Sequence, residues 1–216
     1  MTDKRITDLI CITVSTKYDD ILSLIIHQNQ QFFTKWYIIT HPDDADTIGV
    51  VTKAGYSNIQ LVYYDMYKGA TFNKGGAIRS VQETLQETHK GKPVLILDSD
   101  IYLPDNFHEV VSAITIQPDT LYGVSQRYDY SSYRDFKDNT NAYNYPPSKG
   151  FFGFFQLYKH SLLKLYKPSE NCSVCDATFT MYFKRKVNLP LTVKHLGTMM
   201  ANWDGRKSKD DFVSKN

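Results

Sequence analysis

The chain has few cysteines, little net charge and no long apolar run, and each absence excludes a class of protein. Three cysteines in 216 residues are too few for a disulfide framework. Cys172 and Cys175 have no further cysteine or histidine ligands nearby, so the pair does not predict a zinc site. We interpret both cysteines as small, partly buried residues.

The formal net charge is only +2, and the chain shows no basic stripe. A nucleic-acid partner is therefore not expected. No apolar run reaches the roughly 18 residues that would span a membrane. The first residues, Met1 to Arg5, lead into an apolar segment without a signal-peptide pattern. We expect a soluble, cytoplasmic protein with no membrane span.

Apolar residues, which make up 42 % of the chain, occur in short runs that alternate with amphipathic stretches. In the first hundred residues the β-branched runs predict strands, and the amphipathic stretches predict helices between them. Strands are predicted at Leu9–Ser15, Trp36–Thr40, Ile59–Tyr64 and Pro93–Leu97, and helices at Asp19–Gln28, Asp46–Ala54 and Asn73–His89. This alternation predicts a single α/β domain over residues 1–216, with a mostly parallel central sheet flanked by helices.

The second half of the chain has weaker periodicity. Its predicted elements are helices at Pro104–Ile114 and Asp176–Phe183 and strands at Leu121–Ser125, Phe151–Tyr158 and Leu191–His195. Residues Arg127 to Gly150 are dense in tyrosine, aspartate, asparagine and serine, which predicts a long loop that is functional or mobile. The polar end of the chain, about 206–216, predicts a loose tail.

The most informative segment is the apolar run Pro93–Leu97 with Asp98, Ser99 and Asp100 directly after it. The run favours a strand buried on both faces, and such a strand cannot keep carboxylates in its buried part. Both aspartates should therefore lie at its carboxyl end, where ligands bind in open α/β sheets. Carboxylate oxygens suit Mg²⁺ or Mn²⁺. The alternative is a polar turn in which Asp98 caps backbone amides.

A second candidate is the start of the long predicted helix, at Asn73, Lys74, Gly75 and Gly76. Two glycines allow a ligand to approach the backbone closely, and the amides of a helix N-terminus attract anions. Lys74 would add a positive charge that faces a phosphate. The alternative is that Asn73 caps the helix and the glycines pack it against a strand.

Asp176 and His195 are the remaining candidates. Asp176 begins a predicted helix after a polar loop, where a carboxylate could deprotonate an acceptor hydroxyl or could cap the helix. His195 ends a short β-like run, and a histidine there could complete a metal shell that carboxylates began. Taken alone, such a histidine is more often structural.

The order of these features resembles a known enzyme family. Strand–helix units come first, and the motifs that follow are Asn73–Gly76, Asp98-Ser99-Asp100, Gly150–Phe155, Cys175-Asp176 and His195–Gly197. Together they look like a GT-A fold glycosyltransferase of the DxD type, and the resemblance covers about Leu9 to Arg206. It implies a GT-A-like fold, Mn²⁺ or Mg²⁺ as cofactor, and a nucleotide diphosphate sugar as donor. The family favours UDP as the nucleotide, with GDP as the alternative, and a hydroxyl of a glycan or other molecule as acceptor.

The resemblance also implies roles for individual residues. Asp98 and Asp100 hold the metal against the diphosphate, with Asp98 nearer the ribose, and His195 adds the third protein ligand. Asp176 matches the catalytic base of inverting members. The other implied donor contacts are Thr13, Val14, Ser15, Tyr18, Asp44 or Asp43, Lys74 and Ser99, and the implied acceptor side is Gly153, Phe154 and Cys175.

The implied division of the chain is a nucleotide-sugar half at about 1–100 and an acceptor half at about 101–205. Trp203, Arg206 and Lys207 would fold over the diphosphate, where cations suit its charge. Cys175 departs from the family, since inverting members usually carry glutamate there. The chain is short and is similar to a minimal enzyme or to one domain of a larger glycosyltransferase, such as those of large DNA viruses. A viral protein would act in the host cytoplasm.

Three other functions remain as alternatives. A haloacid-dehalogenase-like phosphatase also has an apolar strand that runs into DxD, but its nucleophilic aspartate lies near the chain start, whereas 97 residues precede Asp98. A sugar nucleotidyltransferase would have a glycine-rich loop after the first strand, and Ser15–Asp19 contains no glycine. A non-catalytic nucleotide-sugar binding domain would keep Asp98 and Asp100 but would need no base.

Overall fold

The structure is a computed structural model that describes residues 8–145, 153–197, 204–207 and 212. Its strands are β1 Ile10–Val14, β2 Lys35–Thr40, β3 Ile59–Tyr63, β4 Pro93–Leu97, β5 Ile101–Tyr102, β6 Thr120–Tyr130, β7 Tyr143–Tyr145, β8 Phe155–Lys159 and β9 Arg185–Leu196. Its helices are α1 Asp19–Asn29, α2 Ala45–Ala54, α3 Lys74–Thr88, α4 Phe107–Ser112, α5 Tyr133–Asp138 and α6 Cys175–Thr180, with a 3₁₀ turn at Gln30–Phe32.

The described strands form one sheet in the order β3-β2-β1-β4-β8-β6-β9-β5, and β7 pairs with β6. The four strands from β3 to β4 are parallel, as are β6 and β9. Strand β8 is antiparallel to both of its neighbours, so β6 and β9 share the direction of β4. Most strands therefore run in one direction, and the predicted α/β class, with helices flanking a mostly parallel sheet, is confirmed.

Helices cover both faces of the sheet because strands such as β1 are apolar on both sides. Cys11 packs into the core on the side of Trp36 and Phe155. Ile10 and Ile12, which point the opposite way, pack into a second core. Complete burial of one such side chain stabilises the fold by about 1.5–3 kcal/mol.

The helices that precede the site have specific caps. The Asp44 side chain accepts a hydrogen bond from the Thr47 amide (3.2 Å) at the start of α2, and the Asn73 side chain accepts one from the Gly76 amide (2.8 Å) at the start of α3. Gly55 ends α2 with φ = 66°, a conformation that glycine adopts without steric cost. The capping role considered for Asn73 is confirmed.

The predicted loop from Arg127 to Gly150 is wrong over its described part, 127–145. Strand β6 continues to Tyr130 and is followed by α5 and β7. The long parallel pairing of β6 with β9, from Thr120 opposite Arg185 to Tyr130 opposite Leu196, explains why polar residues there are in a strand. Each of these two strands receives its backbone hydrogen bonds from the other, which is distant in sequence. The periodicity of a short segment therefore does not reveal the pairing.

Two residues of the predicted loose tail, Arg206 and Phe212, are buried, with 2 % and 1 % of their surface exposed. The backbone carbonyl of Phe212 accepts a hydrogen bond from the Tyr133 amide (2.9 Å). In the described part of the chain, every helix is too short or too polar to cross a membrane.

Candidate functional site

The candidate site lies at the carboxyl end of β4, where three charged side chains from distant parts of the chain meet. Asp98 directly follows β4, Lys74 begins α3, and Asp176 lies in the first turn of α6. The Lys74 Nζ lies 2.9 Å from Asp98 Oδ1 and 3.3 Å from Asp176 Oδ2. One ammonium group therefore bridges the first aspartate of the DxD motif and the predicted base.

Two glycines allow these elements to approach so closely. A Cβ atom on Gly153 would overlap the Asp176 carboxylate, and one on Gly75 would overlap the backbone carbonyl of Lys167. Gly153, predicted on the acceptor side, thus lies directly against the predicted base. Any larger residue at either position would have to push α6 or α3 away from the site.

The charges in this group favour a protonated Lys74. Burial alone would lower the pKa of Lys74, but the charges of Asp176 and Asp98 outweigh it and hold the pKa well above 10.5. Burial raises the pKa of Asp98 to about 6, against the opposing effect of Lys74 and with the help of the charges of Asp100 and Asp176. The Asp98 side chain nevertheless keeps 32 % of its surface exposed, so a ligand can reach it.

Below Asp176 lies a buried polar pair, Tyr166 and Gln156, that the sequence analysis did not identify. The Tyr166 hydroxyl lies 3.0 Å from Asp176 Oδ1 and is also in hydrogen-bond contact with Gln156 Oε1. Its ring stacks on Phe179 with a centroid distance of 4.3 Å. Tyrosine and glutamine occur often in this chain. Only the packing of Tyr166 and Gln156 against Asp176 distinguishes them from the other residues of the same types.

Asp100 belongs to a second group of charges. The His195 Nε2 lies 3.3 Å from Asp100 Oδ2, and its Nδ1 lies 3.4 Å from Asp129 Oδ1. Arg127 binds the same Asp129 carboxylate, with Nε at 2.7 Å from Oδ1 and the terminal NH2 at 2.9 Å from Oδ2. Two cations and two carboxylates therefore alternate in a chain across β6 and β9.

In this second group, each charged side chain stabilises the charge of its neighbours. Burial alone would lower the pKa of His195, but Asp100 and Asp129 outweigh it and raise the pKa to about 9. Burial alone would raise the pKa of Asp100 and of Asp129, but His195 and Arg127 hold both below their usual range. The sequence analysis missed Arg127 and Asp129 because it placed them in a loop; their spacing of two, typical of one face of a strand, was the available signal.

The residues of this edge fit a divalent ion in part. Asp100 Oδ1 is buried and accepts no hydrogen bond from the described residues, so it can serve as a ligand. Asp100 and His195 lie in contact, whereas Asp98 is paired with Lys74. No group of three carboxylate, imidazole or thiol side chains is arranged to hold a metal among the described residues. Asp100 therefore fits one ligand position of the usual Mg²⁺ or Mn²⁺ site, in which substrate phosphates and water complete the shell. His195 could add a second ligand only after its imidazole gives up a proton, since both of its nitrogens face carboxylates.

The predicted donor contacts after β1 differ in accessibility. Thr13 is fully buried, and its Oγ1 accepts a hydrogen bond from the Trp36 Nε1 (2.9 Å). Ser15 and Ser99 are also buried, whereas Val14 and Tyr18 are half-buried. Of these five predicted contacts, the last two keep part of their surface exposed. The Thr13 side chain faces the core, and its contact with the donor stays a prediction.

Asp44, also predicted to bind the donor, is occupied by structural hydrogen bonds. Its Oδ2 accepts hydrogen bonds from the Lys17 amide (2.7 Å) and from the hydroxyls of Thr47 (2.7 Å) and Thr40 (3.2 Å). Asp43 is largely exposed and lies 3.8 Å from His41 Nδ1. Asp44 therefore ties the loop after β1 to the start of α2.

Arg206, predicted to fold over the diphosphate, is held beside the loop after β1. Its guanidinium binds both carboxylate oxygens of Asp20 (2.6 and 2.9 Å) and the backbone carbonyl of Lys17 (2.9 Å), and lies 4.7 Å from the Tyr18 ring. These contacts direct Arg206 to the loop after β1. Lys207 is exposed, and Trp203 lies outside the described residues.

On the predicted acceptor side, Phe154 and Cys175 are both buried. The Phe154 ring lies under the Arg127 guanidinium, with a distance of 4.6 Å to the centroid. Burial raises the pKa of the Cys175 thiol to about 12 and that of Cys172 to about 11. Both thiols are therefore protonated near neutral pH, and Cys175 acts as packing beneath the site.

No protein family matches the chain, and no curated protein matches it. Among solved structures, it is similar to 4-diphosphocytidyl-2C-methyl-D-erythritol synthase from Anaerococcus prevotii, with 11 % identity over 95 % of this chain and 94 % of that chain and a TM-score of 0.53. It also aligns with glucosyl-3-phosphoglycerate synthase from Mycobacterium tuberculosis in complex with Mg²⁺ and uridine diphosphate, with 13 % identity over 88 % of this chain and 72 % of that chain and a TM-score of 0.49. The likeness to the first of these shows that the chain shares its α/β fold.

Proposed function

We propose that the chain is a metal-dependent glycosyltransferase that moves a sugar from a nucleotide diphosphate sugar, a UDP-sugar, to an acceptor hydroxyl with inversion. The observation that carries the proposal is the meeting of Asp98, Lys74 and Asp176 at the carboxyl end of β4. This is the edge at which open α/β sheets bind ligands. The geometry supplies one carboxylate for the donor side and one for the acceptor side, with a cation between them.

The donor diphosphate is proposed to lie over Asp98 and Asp100, with the nucleotide towards the loop after β1. Of the predicted donor contacts around the end of β1, Val14 and Tyr18 are half-buried rather than buried. Asp100 would hold Mn²⁺ or Mg²⁺, with His195 as a second ligand once its imidazole has given up a proton, and the ion would stabilise negative charge on the leaving diphosphate. In this arrangement the first hundred residues form the donor half, as the resemblance implies.

Asp176 is proposed as the base. The acceptor oxygen attacks the anomeric carbon, the bond from that carbon to the diphosphate breaks, and the hydroxyl proton passes to Asp176. A single displacement of this kind inverts the anomeric centre. Lys74 holds Asp176 in place through Oδ2. A glycan or another molecule with a free hydroxyl would enter on the side of Gly153.

The test begins with nucleotide binding. Thermal unfolding is followed with UDP, GDP, dTDP and CMP, each with Mn²⁺ and with EDTA. A ligand that binds the folded protein raises its unfolding temperature. We expect a rise with UDP and Mn²⁺ that disappears with EDTA and in Asp100→Asn, but persists in the matched surface variant Asp138→Asn on α5.

Turnover then separates the alternatives. Release of UDP from a UDP-sugar, stimulated by an acceptor, supports the proposal. Pyrophosphate release from a nucleoside triphosphate and a sugar phosphate would replace it with nucleotidyl transfer. Hydrolysis of simple phosphate esters would indicate a phosphatase. Nucleotide binding without any turnover across a panel of acceptors would indicate a binding domain.

A further inference from the structure

The Tyr166 hydroxyl has one proton and two acceptors. It lies 3.0 Å from Asp176 Oδ1 and in hydrogen-bond contact with Gln156 Oε1. We infer that Tyr166 and Gln156 form a compensating pair for the base: Tyr166 donates to Asp176 while the carboxylate is ionised, and turns to Gln156 when Asp176 holds a proton. This positioning role rests on the proposed function of Asp176 as the base.

The surrounding contacts orient both members of the pair. Gln156 Nε2 donates to the backbone carbonyl of Asp176 (3.4 Å), which leaves Oε1 facing Tyr166. The Tyr166 amide donates to Gln82 Oε1 (2.8 Å), and its ring is held against Phe179. Tyr166 and Gln156 are fully buried, so solvent does not compete for the hydroxyl. Burial, together with the charge of Asp176, keeps the pKa of Tyr166 well above 10, so the hydroxyl keeps its proton.

The two protonation states of Asp176 use this pair differently. When Asp176 is ionised, Lys74 binds Oδ2 and the Tyr166 proton points at Oδ1. When the acceptor proton arrives on Oδ1, that oxygen becomes a donor to the Tyr166 oxygen. The Tyr166 O–H then rotates to Gln156 Oε1, and the hydrogen bond between Tyr166 and Oδ1 reverses its direction. Both carboxylate oxygens of Asp176 thus keep a partner in either protonation state.

The other ionisable groups that face Asp176 are common to every variant compared below. They are Lys74, Asp98, Cys172 and Cys175. The thiols are protonated in the relevant pH range because burial raises the pKa of each. Differences between variants therefore report the pair itself.

Substitution of Tyr166 and substitution of Gln156 should shift the midpoint of the Asp176 titration in opposite directions. Tyr166→Phe removes a hydrogen bond to the charged form, which is the stronger kind, and should raise the titration midpoint by about one pH unit. Gln156→Met removes the competing acceptor, so Tyr166 serves only the ionised carboxylate. The midpoint should then fall by up to about one pH unit. A merely structural role would not produce shifts of opposite sign.

The measurement is a pH titration by NMR of protein labelled with ¹³C at the aspartate carboxyl carbons, with the Asp176 signal assigned from Asp176→Asn. An unchanged midpoint in Tyr166→Phe, or shifts of the same sign in both variants, overturns the inference. Circular dichroism verifies folding. If Gln156→Met does not fold, Tyr166→Phe alone decides, since the absence of an upward shift contradicts the pair.

The titration needs no turnover, so it separates this inference from the proposed function. A chain that transfers no sugar would overturn the proposed function while the opposite shifts could still be observed. Where the wild-type protein does transfer sugar, the acid limb of kcat/KM should move with the NMR midpoint in each variant.

Discussion

Asp98 and Asp100 are separated by one residue, yet they belong to two groups of charges with different character. The group around Lys74 has one cation between two carboxylates, and Asp98 keeps 32 % of its side-chain surface exposed. The group around His195 has two cations and two carboxylates, and the Asp129 side chain is 0 % exposed. The first group can exchange protons and reach a ligand. The second is internally balanced and holds β6, β9 and the end of β4 together.

The comparison leads to different expectations for mutations. In the Lys74 group, an isosteric change should abolish activity and preserve the fold. In the His195 group, a similar change should cost stability first. The predictions below test this division.

The largest expected effect is on activity in Asp176→Asn. Loss of the base should lower the rate of sugar transfer by about 10²–10⁴-fold, while the similar shape of asparagine preserves the fold. The rate of UDP release in the presence of acceptor is compared with that of Asp138→Asn, a surface control on α5. A rate within a few-fold of the control would exclude Asp176 as the base.

The next effect is on stability in Asp129→Asn. This change leaves Arg127 and His195 without their shared buried carboxylate, and we expect the free energy of unfolding to fall by about 3–5 kcal/mol. Urea denaturation measures the loss. The control is Asp119→Asn, which breaks the more exposed pair with Lys164 and should change stability little. Equal losses in the two variants would contradict a special role for the His195 group.

A third prediction concerns pH in the metal-free protein. Because the pKa of His195 is raised from its ordinary 6.5 to about 9, the folded state binds more protons than the unfolded state between those values. The stabilisation from His195 is complete below about pH 6.5 and is lost as pH rises towards 9, by at most about 1.4 kcal/mol per pH unit. Urea denaturation with EDTA present should show this fall in the wild-type protein and a flatter profile in His195→Gln. The same slope in both would refute the assignment.

The smallest expected effect lies outside both groups, in Arg206→Lys. Lysine cannot hold both oxygens of Asp20 and the Lys17 carbonyl in one geometry, so the loop after β1 should loosen. We expect UDP binding to weaken several-fold, measured by calorimetry with Mn²⁺. Lys207→Ala, at the exposed neighbouring position, is the control. If Arg206→Lys binds UDP with unchanged affinity, the loop after β1 does not contribute to the donor site.

Prediction from the sequence succeeded best where the signal was local. Strands β1 to β4 and helices α1 to α3 lie within a few residues of their predicted bounds, because periodicity, capping residues and glycines act over short stretches. It failed between Arg127 and Tyr145, where β6 is stabilised by pairing with β9, more than fifty residues along the chain. The same failure concealed Arg127 and Asp129 as members of the site.

The sequence alone determined the α/β class and placed Asp98, Asp100, Asp176 and His195 at the ends of elements, because buried strands exclude carboxylates and helix starts attract them. Only the tertiary structure decided which charges meet. Lys74 and Asp176 are 102 residues apart, and their contact depends on the close approach of α6 to Gly153 and of α3, at Gly75, to the Lys167 carbonyl. The same holds for Asp129 and His195, which face each other because β6 and β9 pair in one register. Contacts of this range depend on the shape of the whole fold, which no local pattern encodes.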